Sequence, residues 1–194
     1  MSTAAIVIIA VAAEAVLLAI SIVAERSRRR RRLRERFGPE YDRTINVADN
    51  SRQAEADLRQ RAEERDHLSI QPLSADQRER FEQNWRQVQA EFVDVPGTSL
   101  ARADALVTEV MIHRGYPLQD FDDRARLVSV DHPRVVEQYR QAHGTFLASQ
   151  SDPVPTEKIR QAFVSYRSLF FELVADGTSA ANQTPAGDAS TASY

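Results

Sequence analysis

The chain has 194 residues, 42% hydrophobic and 27% charged, with 6 Gly and 8 Pro, a composition that excludes a wholly disordered protein and leaves room for one core of ordinary size. The formal charge of -3 conceals an asymmetry, because residues 26–36 carry eight Arg against one Glu while the chain from Phe37 onward is acidic. The acidic body argues against an extended nucleic-acid surface, and the absence of cysteine excludes disulfides, thiolate metal sites and a cysteine nucleophile.

Residues 4–24 contain 11 Ile, Val or Leu and 8 Ala, and at ~1.5 Å per residue they reach about 31 Å, the thickness of a bilayer core. The segment is interrupted by Glu14 at its midpoint. A central carboxylate costs about 3 kcal/mol on insertion scales, whereas each large aliphatic returns about 0.3–0.6, so the aliphatics outweigh it. Residues 1–25 are therefore predicted to be a transmembrane anchor. Glu14 has two readings: a polar contact to a partner helix within the membrane, or a side chain simply tolerated by an otherwise apolar helix. No basic residue precedes the segment and eight Arg follow it, which is the reverse of a cleavable secretory signal. By the positive-inside rule the protein spans the cell membrane once, with its N-terminus outside and its body in the cytoplasm.

Residues 26–38 form an arginine-rich juxtamembrane segment. Arg26, Arg28, Arg29, Arg30, Arg31, Arg32, Arg34 and Arg36 are expected to contact anionic lipid headgroups, each contributing on the order of 1 kcal/mol before screening. The run lacks interleaved aromatic residues of the kind that stack on bases, so nucleic acid is the weaker reading.

Gly38-Pro39 breaks the helix leaving the membrane, and residues 39–70 read as one long polar helix over Glu40–Asp66, either an exposed stalk or half of an interhelical contact. Residues 71–177 are predicted to form a compact bundle of about four helices, giving an all-α protein. Ser74 to Gln77 is a capping box, and Phe81, Trp85, Val88 and Phe92 follow at helical spacing, closed by Pro96-Gly97. Ala103, Leu106, Val107, Val110 and Met111 repeat that period before Gly115 and Pro117. Asp120, Asp122 and Asp123 read as caps rather than a calcium loop, which would need a Gly and a distal Glu. Asp131-His132-Pro133 is predicted to open a helix carrying Val135, Tyr139, Ala142 and Phe146. The last helix starts at Thr156, carries Ile159, Phe163, Tyr166, Phe170 and Leu173, and stops at Gly177. Residues 178–194 are small and polar and are predicted to be disordered.

The four histidines show no metal-ligand spacing, and no phosphate-binding glycine motif or nucleophile elbow is present, so neither a metal nor a cofactor is expected. Only Asp131 with His132 resembles an acid-base pair with its orienter, and a helix cap whose His packs or faces water is the favoured reading of that pair.

The strings FGPEYDR (Phe37 to Arg43), IQPLS (Ile70 to Ser74), FVDVPG (Phe92 to Gly97), ADALVTEVM with RGYP (Ala103 to Pro117) and SVDHPRVVEQYRQAH (Ser129 to His143) resemble an uncharacterised actinobacterial family of single-pass membrane proteins. The resemblance covers roughly Ala4 to Val174. It implies the architecture above and carries over no catalytic residue. The "secreted" description that such relatives sometimes receive disagrees with the charge argument, which places the body inside.

The functional expectation is a membrane-tethered, non-enzymatic interaction or scaffold protein, in contact with anionic lipid and with a protein partner or a second copy of itself. The alternatives are an enzyme or small-molecule sensor using a cleft near Asp131 and His132, and a lipid-organising role for the arginine run.

Overall fold

The computed structural model describes the backbone of residues 3–117 and 120–181 and the side chains within 12–117 and 120–175. Every regular element among them is an α-helix, eight in all. The chain divides into two units, residues 1–62 and 63–194.

In the first unit, α1 (Thr3–Phe37) runs without a break from the apolar segment through the arginine run. The like charges of that run are relieved within the helix by i,i+4 pairs, Arg29 with Glu25 at 2.9 Å and Arg31 with Glu35 at 2.8 Å. Gly38 ends α1 at φ +47°, backbone that an L side chain rarely adopts, and Pro39 supplies the first residue of α2 (Pro39–Val47). α2 folds against α1, where Arg34 Nη2 donates to Asp42 Oδ1 at 2.8 Å.

The single helix expected over Glu40–Asp66 is instead two. Ala48 turns extended and α3 (Ser51–Asp66) restarts, with the Asn50 side chain accepting from the Arg52 N–H at 2.9 Å. Asp49-Asn50-Ser51 offers the backbone local hydrogen bonds that compete with helix continuation. Ala54, Leu58 and Ala62, spaced by four, are buried, as are Leu33 and Phe37 on α1. Glu40 is buried too, and accepts from Arg61 Nη1 at 3.2 Å.

Among the described residues no helix is long and apolar enough to cross a membrane. The side chains of residues 4–11, the first part of the expected span, lie outside the described residues.

The second unit contains five helices beyond the end of α3, one more than the pattern suggested: α4 (Ala75–Glu91), α5 (Pro96–Arg114), α6 (Phe121–Asp131), α7 (Val136–Ser151) and α8 (Thr156–Ala181). The capping box is present in both directions, Gln77 N–H to Ser74 Oγ and Ser74 N–H to the Gln77 side chain. Phe81, Trp85 and Val88 are buried along α4 as their spacing required. Trp85 stacks on Phe170 at 4.7 Å and lies 5.2 Å from Phe163, which fixes α4 against α8. α8 packs on both α5 and α7 and forms the centre of the unit. Pro96 and Gly97 belong to the first turn of α5 rather than to a link.

Gly115 ends α5 at φ +101°, and its N–H bonds back to Ile112 and Met111. A Cβ there would stand 2.7 Å from the Ser69 carbonyl oxygen, so both conformation and space require glycine. Asp120 caps α6 by accepting from the Asp123 N–H at 2.9 Å. Two boundaries differ from expectation. Asp131 is the last residue of α6 and His132 its C-cap, so the Asp-His-Pro segment ends a helix instead of opening one. α8 passes through Gly177 to Ala181, since glycine lowers helix propensity without forbidding it. The disorder expected beyond Ala181 falls on residues 182–194, outside the described residues.

Candidate functional site

The first candidate is the arginine collar of α1. Arg30 Nε lies 2.9 Å from Glu55 Oε1 on α3, and the Tyr41 hydroxyl donates to the same oxygen at 3.1 Å. Burial, then the Glu55 carboxylate, pushes the Tyr41 phenol above its usual range, so it remains a donor. Arg29 donates to Glu25, and that hydrogen bond with the adjacent charge holds the Glu25 carboxyl below its usual range. Arg29, Arg30, Arg31 and Arg34 are thus each ion-paired. Arg26, Arg28 and Arg32 make no ion pair among the described residues, although the charges of Arg28 and Arg32 also act on Glu25. Glu14 is exposed on α1.

Between α1 and α3 lies a cleft of about 310 Å³, lined by Arg26, Arg29, Arg30, Arg52, Arg59 and Glu55 together with Leu33. The α1 residues 26, 29, 30 and 33 share one helical face by their spacing, as do Arg52, Glu55 and Arg59 on α3. Sequence reasoning found the α1 arginines but missed Arg52 and Arg59. The i,i+3 and i,i+7 spacing of basic residues about Glu55 was visible, but its direction toward α1 depended on the break at Ala48–Asn50.

The second candidate, Asp131 with His132, is not brought together as an acid-base pair. Asp131 accepts from the Tyr116 hydroxyl at 2.6 Å and from Arg65 Nε at 2.7 and 2.8 Å to its two oxygens. Its carboxylate is occupied by two donors that hold the start of the unit against the end of α6. Burial first, and the Asp131 charge second, drive the Tyr116 phenol pKa well up. His132 is buried and points Nδ1 at Glu172 Oε2 of α8, 3.1 Å away. Neither residue lines any of the principal cavities. The geometry is that of a latch joining α6 to its neighbours.

A third cluster was not legible in the sequence. Asp104 of α5 accepts from the Tyr166 hydroxyl at 2.7 Å and lies 3.0 Å from His143 Nδ1, while the His143 ring stacks on Phe121 at 3.7 Å. These residues come from four helices, and no local spacing relates them. They too line none of the principal cavities, and the Tyr166 phenol is pushed up by burial and then by Asp104. Among the described residues no group of three or more His, Asp or Glu is placed to hold a metal ion.

Comparison with known proteins yields no match: no family model, no curated protein and no solved structure resembles the chain.

Proposed function

We propose that the protein is a membrane-anchored, non-enzymatic interaction module, held to the bilayer by residues 4–24 and to its anionic face by the arginine collar, with its helical bundle available to a protein partner in the cytoplasm. The observation that carries this reading is the continuity of α1, a single helix from the apolar segment into the collar. With no break between them, the first arginines sit within about 10 Å of the apolar end, at headgroup depth. The occupation of Asp131 by Tyr116 and Arg65 supports a structural role for the pair that otherwise suggested catalysis.

Two measurements test the proposal. The full-length protein is expected to stay in the membrane pellet after alkaline carbonate extraction, and protease added to intact spheroplasts should leave a C-terminal epitope whole. Digestion of the epitope would place the bundle outside and overturn the topology. Within the span, Glu14 is the group suited to a polar contact with a second helix. Glu14→Leu is expected to lower crosslinked dimer in native membranes severalfold, and undiminished dimer would remove Glu14 from any self-contact.

A further inference from the structure

We propose that the α1–α3 cleft is a built site for a phosphomonoester, a phosphate group with one ester link and close to two negative charges, rather than part of a diffuse basic surface. The inference rests on the membrane-anchored reading for its location and on the cleft's own chemistry for its specificity.

Five guanidinium groups surround the cleft against Glu55 within it and Glu25 at its edge. Glu55 engages Arg30 through Nε and Glu25 engages Arg29 through Nε, whereas Arg26 and Arg52 make no ion pair among the described residues. Like charges held this close repel, and an entering anion relieves that repulsion at every arginine at once. Planar guanidinium forks on two facing helices can take phosphate oxygens bidentately, a geometry that a run of lysines would not offer. The cleft volume of about 310 Å³ is at the lower end of the range for small-ligand sites, so it admits a headgroup and not a folded partner.

The excess of cations selects the charge state of the anion. A phosphomonoester carries about -1.5 to -2 at neutral pH, while a phosphodiester carries one charge and fewer free oxygens. The position of the cleft favours a lipid as the source. Arg26 follows Ala24 by two residues, and Arg52, at the start of α3, faces the same cleft. A second groove of about 380 Å³ shares Arg26 and Arg29 and continues along α1 past Glu25 to Ile22 and Ser21, toward the apolar end. A phosphate in the cleft could therefore have its acyl chains beside the span.

The test uses the full-length protein in a neutral detergent, read by native mass spectrometry. The probes are dioleoyl phosphatidic acid, dioleoyl phosphatidylglycerol and soluble glycerol 3-phosphate. One phosphatidic acid is expected to bind at least tenfold in preference to phosphatidylglycerol. Arg52→Gln with Arg59→Gln, both away from the topology-setting run, should reduce that preference to less than twofold while the protein still fractionates with the membrane. Arg28→Gln with Arg32→Gln, which removes as much charge outside the cleft, should leave the preference in place.

Equal binding of the two lipids, or equal losses in the two double variants, would overturn the site and leave the anchored reading standing. Displacement of phosphatidic acid by equimolar glycerol 3-phosphate would identify a soluble phosphomonoester as the ligand of the same cleft, and retention would identify the lipid. If the wild type fractionates as soluble yet still binds glycerol 3-phosphate in a manner lost on changing Arg52 and Arg59, the anchor fails and the site survives.

Discussion

Replacing Asp131 with alanine is expected to lower the thermal midpoint of the full-length protein by about 10 °C. The carboxylate receives the Tyr116 hydroxyl at 2.6 Å and Arg65 Nε at 2.7 Å, and it is only 20% exposed. A hydrogen bond to a charged group contributes about 1.5–3 kcal/mol, and losing the acceptor also strands a mostly buried phenol and a half-buried guanidinium. A net loss of about 3 kcal/mol follows, which for a domain of this size corresponds to the stated shift. Asp131→Asn should cost less, because its amide oxygen still accepts from Tyr116 while the charge that pairs with Arg65 is gone. Glu172→Ala should cost under about 1 kcal/mol, since that carboxylate is 42% exposed where it meets His132. Circular dichroism melts of the three variants settle the order. An Asp131→Ala protein as stable as wild type would leave the carboxylate without a structural role and return it to the list of candidate acids.

What the sequence disclosed and what it withheld divide along a physical line. Elements set by local chemistry were legible: the Ser74–Gln77 box, the Gly38-Pro39 break, the Gly115 stop and the buried stripe from Phe81 to Val88 all appear where periodicity and cap residues put them. The errors fell where two local preferences compete. At Asp49-Asn50-Ser51 the charge pattern suggested a continuous helix, but side-chain capping of the backbone divided it. At Asp131-His132 the same residues suit either end of a helix, and only the Tyr116 and Arg65 contacts, 15 and 66 residues away, decide which. The basic cleft combines both cases. Its α1 half is a visible run, whereas its α3 half becomes meaningful only once the chain has reversed at Gly38 and restarted at Ser51. The Asp104, His143 and Tyr166 cluster lies wholly beyond local reading, because tertiary packing alone assembles it.

Those buried phenols give the second large effect, a loss of stability on the alkaline side. Tyr116, Tyr139 and Tyr166 are all pushed up, in each case first by burial and then by a carboxylate, Asp131 for Tyr116 and Asp104 for the other two. Tyr139 reaches about 12 from an ordinary value of 10.0. A raised folded-state value means that the native protein keeps protons which the unfolded chain gives up. The stabilisation is therefore complete below about pH 10 and is lost as pH rises through the folded-state values. For Tyr139 alone that loss is on the order of 3 kcal/mol, and the other two add to it. Phenolate absorbance and helical signal should accordingly change together above pH 10, with these three tyrosines ionising only as the bundle opens. Tyr166→Phe should lower stability at neutral pH by about 1–3 kcal/mol, through the lost bond to Asp104, and make the alkaline limb shallower. Ionisation of all three phenols near pH 10 with the helices intact would show that the core does not keep them protonated. If the phenols and the helices change together, neither Tyr116 nor Tyr166 exchanges a proton near neutral pH, and the hydroxyls beside Asp131 and Asp104 act as fixed donors that bind helices rather than as acids that serve a substrate.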